Sequence, residues 1–170
     1  MDKNENTINS GLTIRNFTSE DVDYVIKGHH MMYETEYGLT TDVWKSYVED
    51  AVYDFIDHFD KEKECMLILH HDRAAMGSAA IRHADDNNAQ FRFFLIEPEL
   101  RGKGAGHLLF DSAMDFCRKK GYKHVFLWTF STLFAARHLY ETKGFRITET
   151  HENNEWGTEK LVEERWDMNL

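Results

Sequence analysis

Proline and cysteine are nearly missing from this chain. Of its 170 residues one is proline, Pro98, and two are cysteine, Cys65 and Cys117. No repeat, low-complexity segment or linker divides the sequence, and its length suits one domain with a substantial core. Each cysteine sits inside an apolar pattern and reads as a buried free thiol, with a disulfide or a reactive thiol as alternatives. No apolar run approaches the ~20 residues of a membrane-spanning helix, so no membrane partner is expected. The opening stretch MDKNENTINSG also lacks a signal peptide's apolar segment. A flexible tail over 1–10, a single domain over 11–170 and a cytoplasmic location are the expectations. Positive charge is scarce as well: 20 Lys and Arg stand against 30 Asp and Glu, a net charge of −10. Binding to phosphate backbones needs clustered Lys and Arg, so nucleic acid is disfavoured as a partner. The acidic balance suits a cationic amine, or solubility alone. His29-His30 and His70-His71 are adjacent pairs without the i, i+4 spacing of a helical zinc site, and no metal is expected.

What is present is apolar and aromatic. Hydrophobic residues make up 42% and aromatics 14%, which marks a globular chain. Leu12–Phe17 alternates as a strand. Thr18-Ser19-Glu20-Asp21 opens a helix carrying Val22, Val25, Ile26, His29 and Tyr33 at helical spacing. After a break at 38–42, Trp44, Tyr47, Val48, Ala51, Val52, Phe55, Ile56 and Phe59 form one broad apolar helix face. Cys65–His70 and Ala75–Arg82 read as a hairpin joined by His71-Asp72-Arg73, followed by a strand over Phe91–Ile96 buried on both faces. A helix from Leu108, a strand over Lys123–Trp128, and a Ser131-capped helix over Thr132–Thr142 come next. Strands over Phe145–Thr150 and Leu161–Met168 close the chain, separated by a polar loop. Three successive strands in a mixed order predict an α/β fold of α+β character, with a mixed rather than an all-parallel sheet.

Between the Phe91–Ile96 strand and the helix that follows lies Arg101-Gly102-Lys103-Gly104-Ala105-Gly106. A glycine-rich turn opening a helix offers unpartnered NH groups and the positive end of a dipole to an anion. The Walker A pattern fails because Lys103 precedes Gly104, and the dinucleotide fingerprint fails because its third glycine arrives one position early. The pattern that fits is Arg/Gln-x-x-Gly-x-Gly/Ala. It resembles the acyl-CoA-binding motif of the GCN5-related N-acetyltransferases, the GNAT superfamily. Ala136-Arg137-His138-Leu139-Tyr140-Glu141-Thr142-Lys143-Gly144-Phe145 is similar to that superfamily's A-x-x-L-Y-E-x-x-G-F segment, on the expected helix. From Gly11 onward the chain is also similar to acetyltransferase domains fused behind MarR-type winged-helix regulators. The winged-helix part is missing, so no DNA binding is carried over.

The resemblance implies a GNAT fold with a splayed strand pair and acetyl-CoA as acyl donor, without a metal. Phe94, Leu95 and Ile96 would pair with the pantetheine arm. The backbone from Arg101 through Gly102, Lys103, Gly104 and Ala105 to Gly106 would cradle the pyrophosphate. Where many relatives carry a pantetheine-binding asparagine this chain has Leu133, with Ser131 or Thr129 as substitutes. Tyr140 takes the place of the general acid that protonates the leaving thiolate. The base is left open among Glu97, Glu34, Glu36 and a relay through water, and His29, Tyr33 and Glu36 are candidates for the acceptor site. The implied function is direct transfer of acetyl to a primary amine, small or on a protein, by a monomer or homodimer. The alternative is a non-catalytic acyl-CoA sensor or interaction module on the same fold.

Overall fold

The computed structural model describes residues 11–170, and the tail expected over 1–10 lies outside them. In chain order the elements are β1 (Leu12–Asn16), α1 (Val22–Tyr37), α2 (Asp42–Asp57), β2 (Cys65–His71), β3 (Ala74–His83) and β4 (Asn88–Ile96). They continue with α3 (Ala105–Lys120), β5 (His124–Phe130), α4 (Phe134–Lys143), β6 (Arg146–Asn153) and β7 (Leu161–Asn169). The described strands form one seven-stranded sheet in the order β1-β2-β3-β4-β5-β7-β6. Only β4 and β5 run parallel; the other neighbours are antiparallel. This is the mixed α/β fold expected. No described helix is long and apolar enough to cross a membrane.

Both faces of the sheet are covered. On one face Leu109, Phe110, Ala113 and Met114 of α3 and Tyr140 of α4 pack on Phe91, Val125, Leu127 and Trp166. On the other, Val25 and Ile26 of α1 and Val52 and Phe55 of α2 pack on Met66, Ile68 and Ala80. Helix α1 crosses β4 so closely that a Cβ on Gly28 would stand 2.6 Å from Leu95 Cδ2. A third cluster joins Leu39, Trp44 and Val48 to Phe130, Leu133 and Leu161. Cys65 and Cys117 lie buried in the first cluster as free thiols, and burial pushes both up to about 12. Neither is a reactive thiolate at neutral pH.

Boundaries shift where tertiary packing or an edge overrides local signals. The Asp72-Arg73 turn takes positive φ at both residues, 48° and 72°, the geometry of a two-residue hairpin. The helix expected from Thr18 begins as a 3-10 turn over Ser19–Asp21, pinned by the Asp21 carboxylate, which accepts from the Thr18 backbone NH at 2.7 Å. Ser131 does not cap α4. Leu133 occupies that position because its side chain is buried in the third cluster, and the helix starts at Phe134. β6 runs to Asn153, past the expected end at Thr150, in register with β7 as far as the Asn153–Leu161 pair. It is an edge strand with mostly exposed side chains, so its polar sequence hides its length.

Candidate active site

The site is built around a split in the sheet. β4 and β5 pair only over Asn88–Gln90 against His124–Phe126. Beyond that point β4 carries a bulge. Arg92 pairs with Ala80 and Leu95 with Ser78, so Phe93 and Phe94 together oppose Ala79. Phe93 adopts a φ of 50°, uncommon for so bulky a residue, and the Ser78 hydroxyl donates to its carbonyl at 2.7 Å. A bulge bends its strand and interrupts pairing. The backbone of β4 from Phe91 onward therefore has no partner on β5. Arg92, Phe93 and Phe94 are only partly buried, against the expectation of a strand covered on both faces, because they border this gap.

A cavity runs through the gap and takes walls from both faces of the sheet. The α1–α2 side contributes His29, Tyr33, Trp44, Tyr47, Arg92 and Phe93; the α3–α4 side contributes Phe91, Phe94 and Tyr140. Its outer part is aromatic: Tyr47 and Trp156 lie 4.4 Å apart between centroids, Tyr33 and Trp44 5.0 Å, and Trp44 and Trp156 5.2 Å. His29 Nδ1 lies 2.7 Å from the Val25 carbonyl, so Nδ1–H donates there and Nε2 is left as the acceptor. Burial lowers His29 to about 4, which keeps the ring neutral. Tyr140 sits among Phe91, Phe110, Phe145 and Trp166. Burial, and secondarily Tyr33, raises its pKa far above that of free tyrosine, so its hydroxyl stays protonated. Among the described residues none hydrogen-bonds that hydroxyl, while Tyr140 lines the cavity.

The glycine turn stands at the open end of the gap. Gly102 and Gly104 adopt φ values of 70° and 83°, which a side chain would strain. Gly104 is the N-cap of α3, so the first NH groups of that helix are without helical partners. A Cβ on Gly106 would lie 3.7 Å from Phe94 Cζ and 3.8 Å from Ile96 Cγ1, which puts the turn beside the released end of β4. An extended chain entering the gap would therefore end with its anionic groups over that helix terminus.

The sequence model of the Acetyltransferase (GNAT) family matches residues 29–145, more than half of the chain. The chain belongs to the GNAT acetyltransferase family. A relative in Bacillus subtilis (strain 168), provisionally named a ribosomal protein bS18-alanine N-acetyltransferase, is 28% identical over 133 residues, covering 78% of this chain and 80% of that one. N-acetylaspartate synthetase of Danio rerio is 35% identical over 68 residues, 40% of this chain but only 24% of that protein. Among solved structures, an acetyltransferase from Streptococcus agalactiae superposes with a TM-score of 0.78 at 17% identity, covering 95% of this chain and all of that one. The Salmonella typhimurium protein yncA, solved with its cofactor acetyl-CoA, gives 0.72 at 17% identity over 95% of each chain.

In this GNAT chain the residues singled out in the sequence fall into three groups. Tyr140, Phe94, His29 and Tyr33 meet in the cavity wall. Leu95 and Ile96 follow on β4, and Gly102 to Gly106 form the turn beside them. The third group is placed elsewhere. Arg101 donates to the Ile96 carbonyl through Nε at 2.9 Å and to both Glu36 oxygens through Nη1 and Nη2 at 2.8 Å. Arg101, at the start of the expected cradle, and Glu36, an expected acceptor-site residue, thus hold each other outside the cavity wall. Lys103 is exposed and makes no ion pair among the described residues. Glu97 accepts the Tyr24 hydroxyl at 3.1 Å and does not line the cavity. Thr129 lines it, whereas Ser131 lies in the following turn. Sequence reasoning missed Arg92, Glu163, Trp44 and Trp156, all on the cavity wall. Strand alternation on β7 is the one signal that could have flagged Glu163, which shares a face with the buried Leu161.

Proposed function

We propose that this chain transfers acetyl from acetyl-CoA to a primary amine held in the through-sheet cavity, by direct attack within a ternary complex. The observation that carries this reading is Tyr140, a protonated hydroxyl with no hydrogen-bond partner among the described residues, where the β4–β5 gap opens into the aromatic cavity. The pantetheine arm would run along the released backbone of β4 at Phe94–Ile96. Its pyrophosphate would meet the NH groups from Gly102 to Gly106, with Lys103 adding charge. The amine nitrogen bonds to the thioester carbonyl carbon and the C–S bond breaks. The sulfur then takes the Tyr140 proton, and the amine's surplus proton leaves to a carboxylate or water. Glu163 is the carboxylate on the cavity wall and suits that second task by position; Glu97 would have to act from outside it through an intervening group. The acetyl-CoA in the yncA structure supports the donor. The names of the Bacillus and Danio relatives support an amine acceptor, small or on a protein.

The test is release of free CoA thiol from acetyl-CoA across a panel of amines. Tyr140→Phe is expected to lower kcat by about 10²–10⁴-fold while KM values change little. A variant with full turnover removes Tyr140 as the acid. Tight acetyl-CoA binding with no thiol release from any amine would instead favour the sensor, a reading to which Leu133 in the asparagine position lends some support.

A further inference from the structure

Among the described residues, one guanidinium and one carboxylate line the cavity: Arg92 on β4 and Glu163 on β7. β5 lies between those two strands in the sheet. The bulge that opens the gap also sets Arg92, because Arg92 and Phe93 are consecutive yet both turn toward the α1–α2 side. The guanidinium lies 4.8 Å from the centre of the Phe93 ring. It forms no ion pair among the described residues. The nearby acid, Asp54, is already engaged by Arg82 at 2.8 Å and by His58 at 3.2 Å. Burial disfavours the charged form of Arg92, Arg82 adds repulsion, and Tyr47 and Asp54 offset only part of this. A cation partly shielded from water and left without a counter-anion is costly, and such groups are normally matched by an anion.

Helix α2 adds a second unmatched donor to the wall. The Trp44 indole Nε1–H is buried without a partner among the described residues, a second donor on the lining of this cavity. Glu163 accepts from Asn153 Nδ2 at 3.1 Å and pairs with no cation among the described residues. The walls thus offer unmatched positive and donor groups on one side of β5 and an unmatched negative group on the other.

We infer that the acceptor is a free amino acid, its carboxylate taken by Arg92 and its amino group facing Glu163. A guanidinium fork matches the two oxygens of a carboxylate, which a lone ammonium does not. Glu163 draws in the ammonium form and places the nitrogen near Tyr140. The aromatic walls formed by Trp44, Tyr47 and Trp156 receive the side chain. The inference rests on the acetyl-transfer reading above and names its substrate class.

The experiment measures CoA thiol release with the L-amino acids, each beside its own carboxamide and its decarboxylated amine. Amino acids are expected to exceed their uncharged partners by about 10–100-fold in kcat/KM, the worth of a hydrogen-bonded charge pair. Arg92→Gln is expected to raise KM for the amino acid by a similar factor and to erase the advantage over the carboxamide, with KM for acetyl-CoA unchanged. Arg92→Lys, which keeps the charge and loses the fork, is expected to recover only part. Carboxamides, decarboxylated amines or peptide lysines that serve as well as amino acids overturn the inference. If no compound releases thiol, the transferase reading fails by itself. Calorimetric titration of the CoA-saturated protein with the same pairs then decides the site. Amino acid binding that Arg92→Gln abolishes upholds the clamp, and the absence of any preference for the carboxylate form removes it.

Discussion

Tyr140 and His29 are both buried in the cavity wall, and burial acts on them with one result, neutrality. For tyrosine the neutral form carries the proton a leaving thiolate needs. For histidine it is the form without the second proton. This difference makes His29 a test of acid stability. Its folded-state pKa of about 4 lies below the reference value of ~6.5. Between those values the unfolded chain binds a proton that the folded chain resists. The stabilisation is full above pH ~6.5 and is lost as the pH falls through about 4. The loss amounts to at most about 3 kcal/mol across that window. Urea unfolding at pH 7, 5.5 and 4.5 should therefore show a shallower acid decline for His29→Gln than for the parent chain. Identical declines would mean that His29 is readily protonated in place.

At the scale of elements, the decisive piece is the bulge in β4. It opens the gap, directs Arg92 and Phe93 to one side, and leaves backbone free for an extended ligand. One side-chain bond visibly holds it, from the fully buried Ser78 hydroxyl to the Phe93 carbonyl. Ser78→Ala removes the donor and leaves a carbonyl unpaired, so unfolding free energy should fall by about 1–3 kcal/mol. If the bulge also shapes the donor site, acetyl-CoA affinity should fall with it. Unchanged affinity in a destabilised variant would separate the bulge from the donor. The conformation of the glycine turn was legible in the sequence because it is local: a few adjacent residues specify positive φ and a helix start. Tyr140 was legible because its neighbours on α4 and the Gly144 stop form another local pattern. The bulge was only implied, through the family resemblance, since FRFFLI carries no glycine or proline to mark it. Arg92 carries no local signal in the sequence; its isolation depends on Asp54 being occupied by Arg82, a fact of packing.

At the scale of the molecule, the proposed donor and acceptor halves come from different stretches of the chain. The proposed acceptor walls combine α1, α2 and the loop between β6 and β7, where the Thr41 hydroxyl lies 2.9 Å from both the Glu155 and Trp156 carbonyl oxygens. No sequence pattern reveals that arrangement, because its members are far apart in the chain. The proposed donor half is β4 and the start of α3, joined to α1 through the Arg101–Glu36 pair and the close approach at Gly28. A ligand lying in the gap would bridge β4 and β5 where the sheet itself does not. Acetyl-CoA should therefore stabilise the whole domain. At ~100 times its dissociation constant a ligand adds ~2.7 kcal/mol. For a domain of this size that corresponds to a melting-temperature rise of roughly 5–11 °C. Differential scanning fluorimetry with acetyl-CoA, CoA and a charge-matched nucleotide is the measurement. A rise with the first two and not with the nucleotide places pantetheine in the gap. No rise with acetyl-CoA at millimolar concentration would remove the donor reading and favour a fold kept for interaction alone.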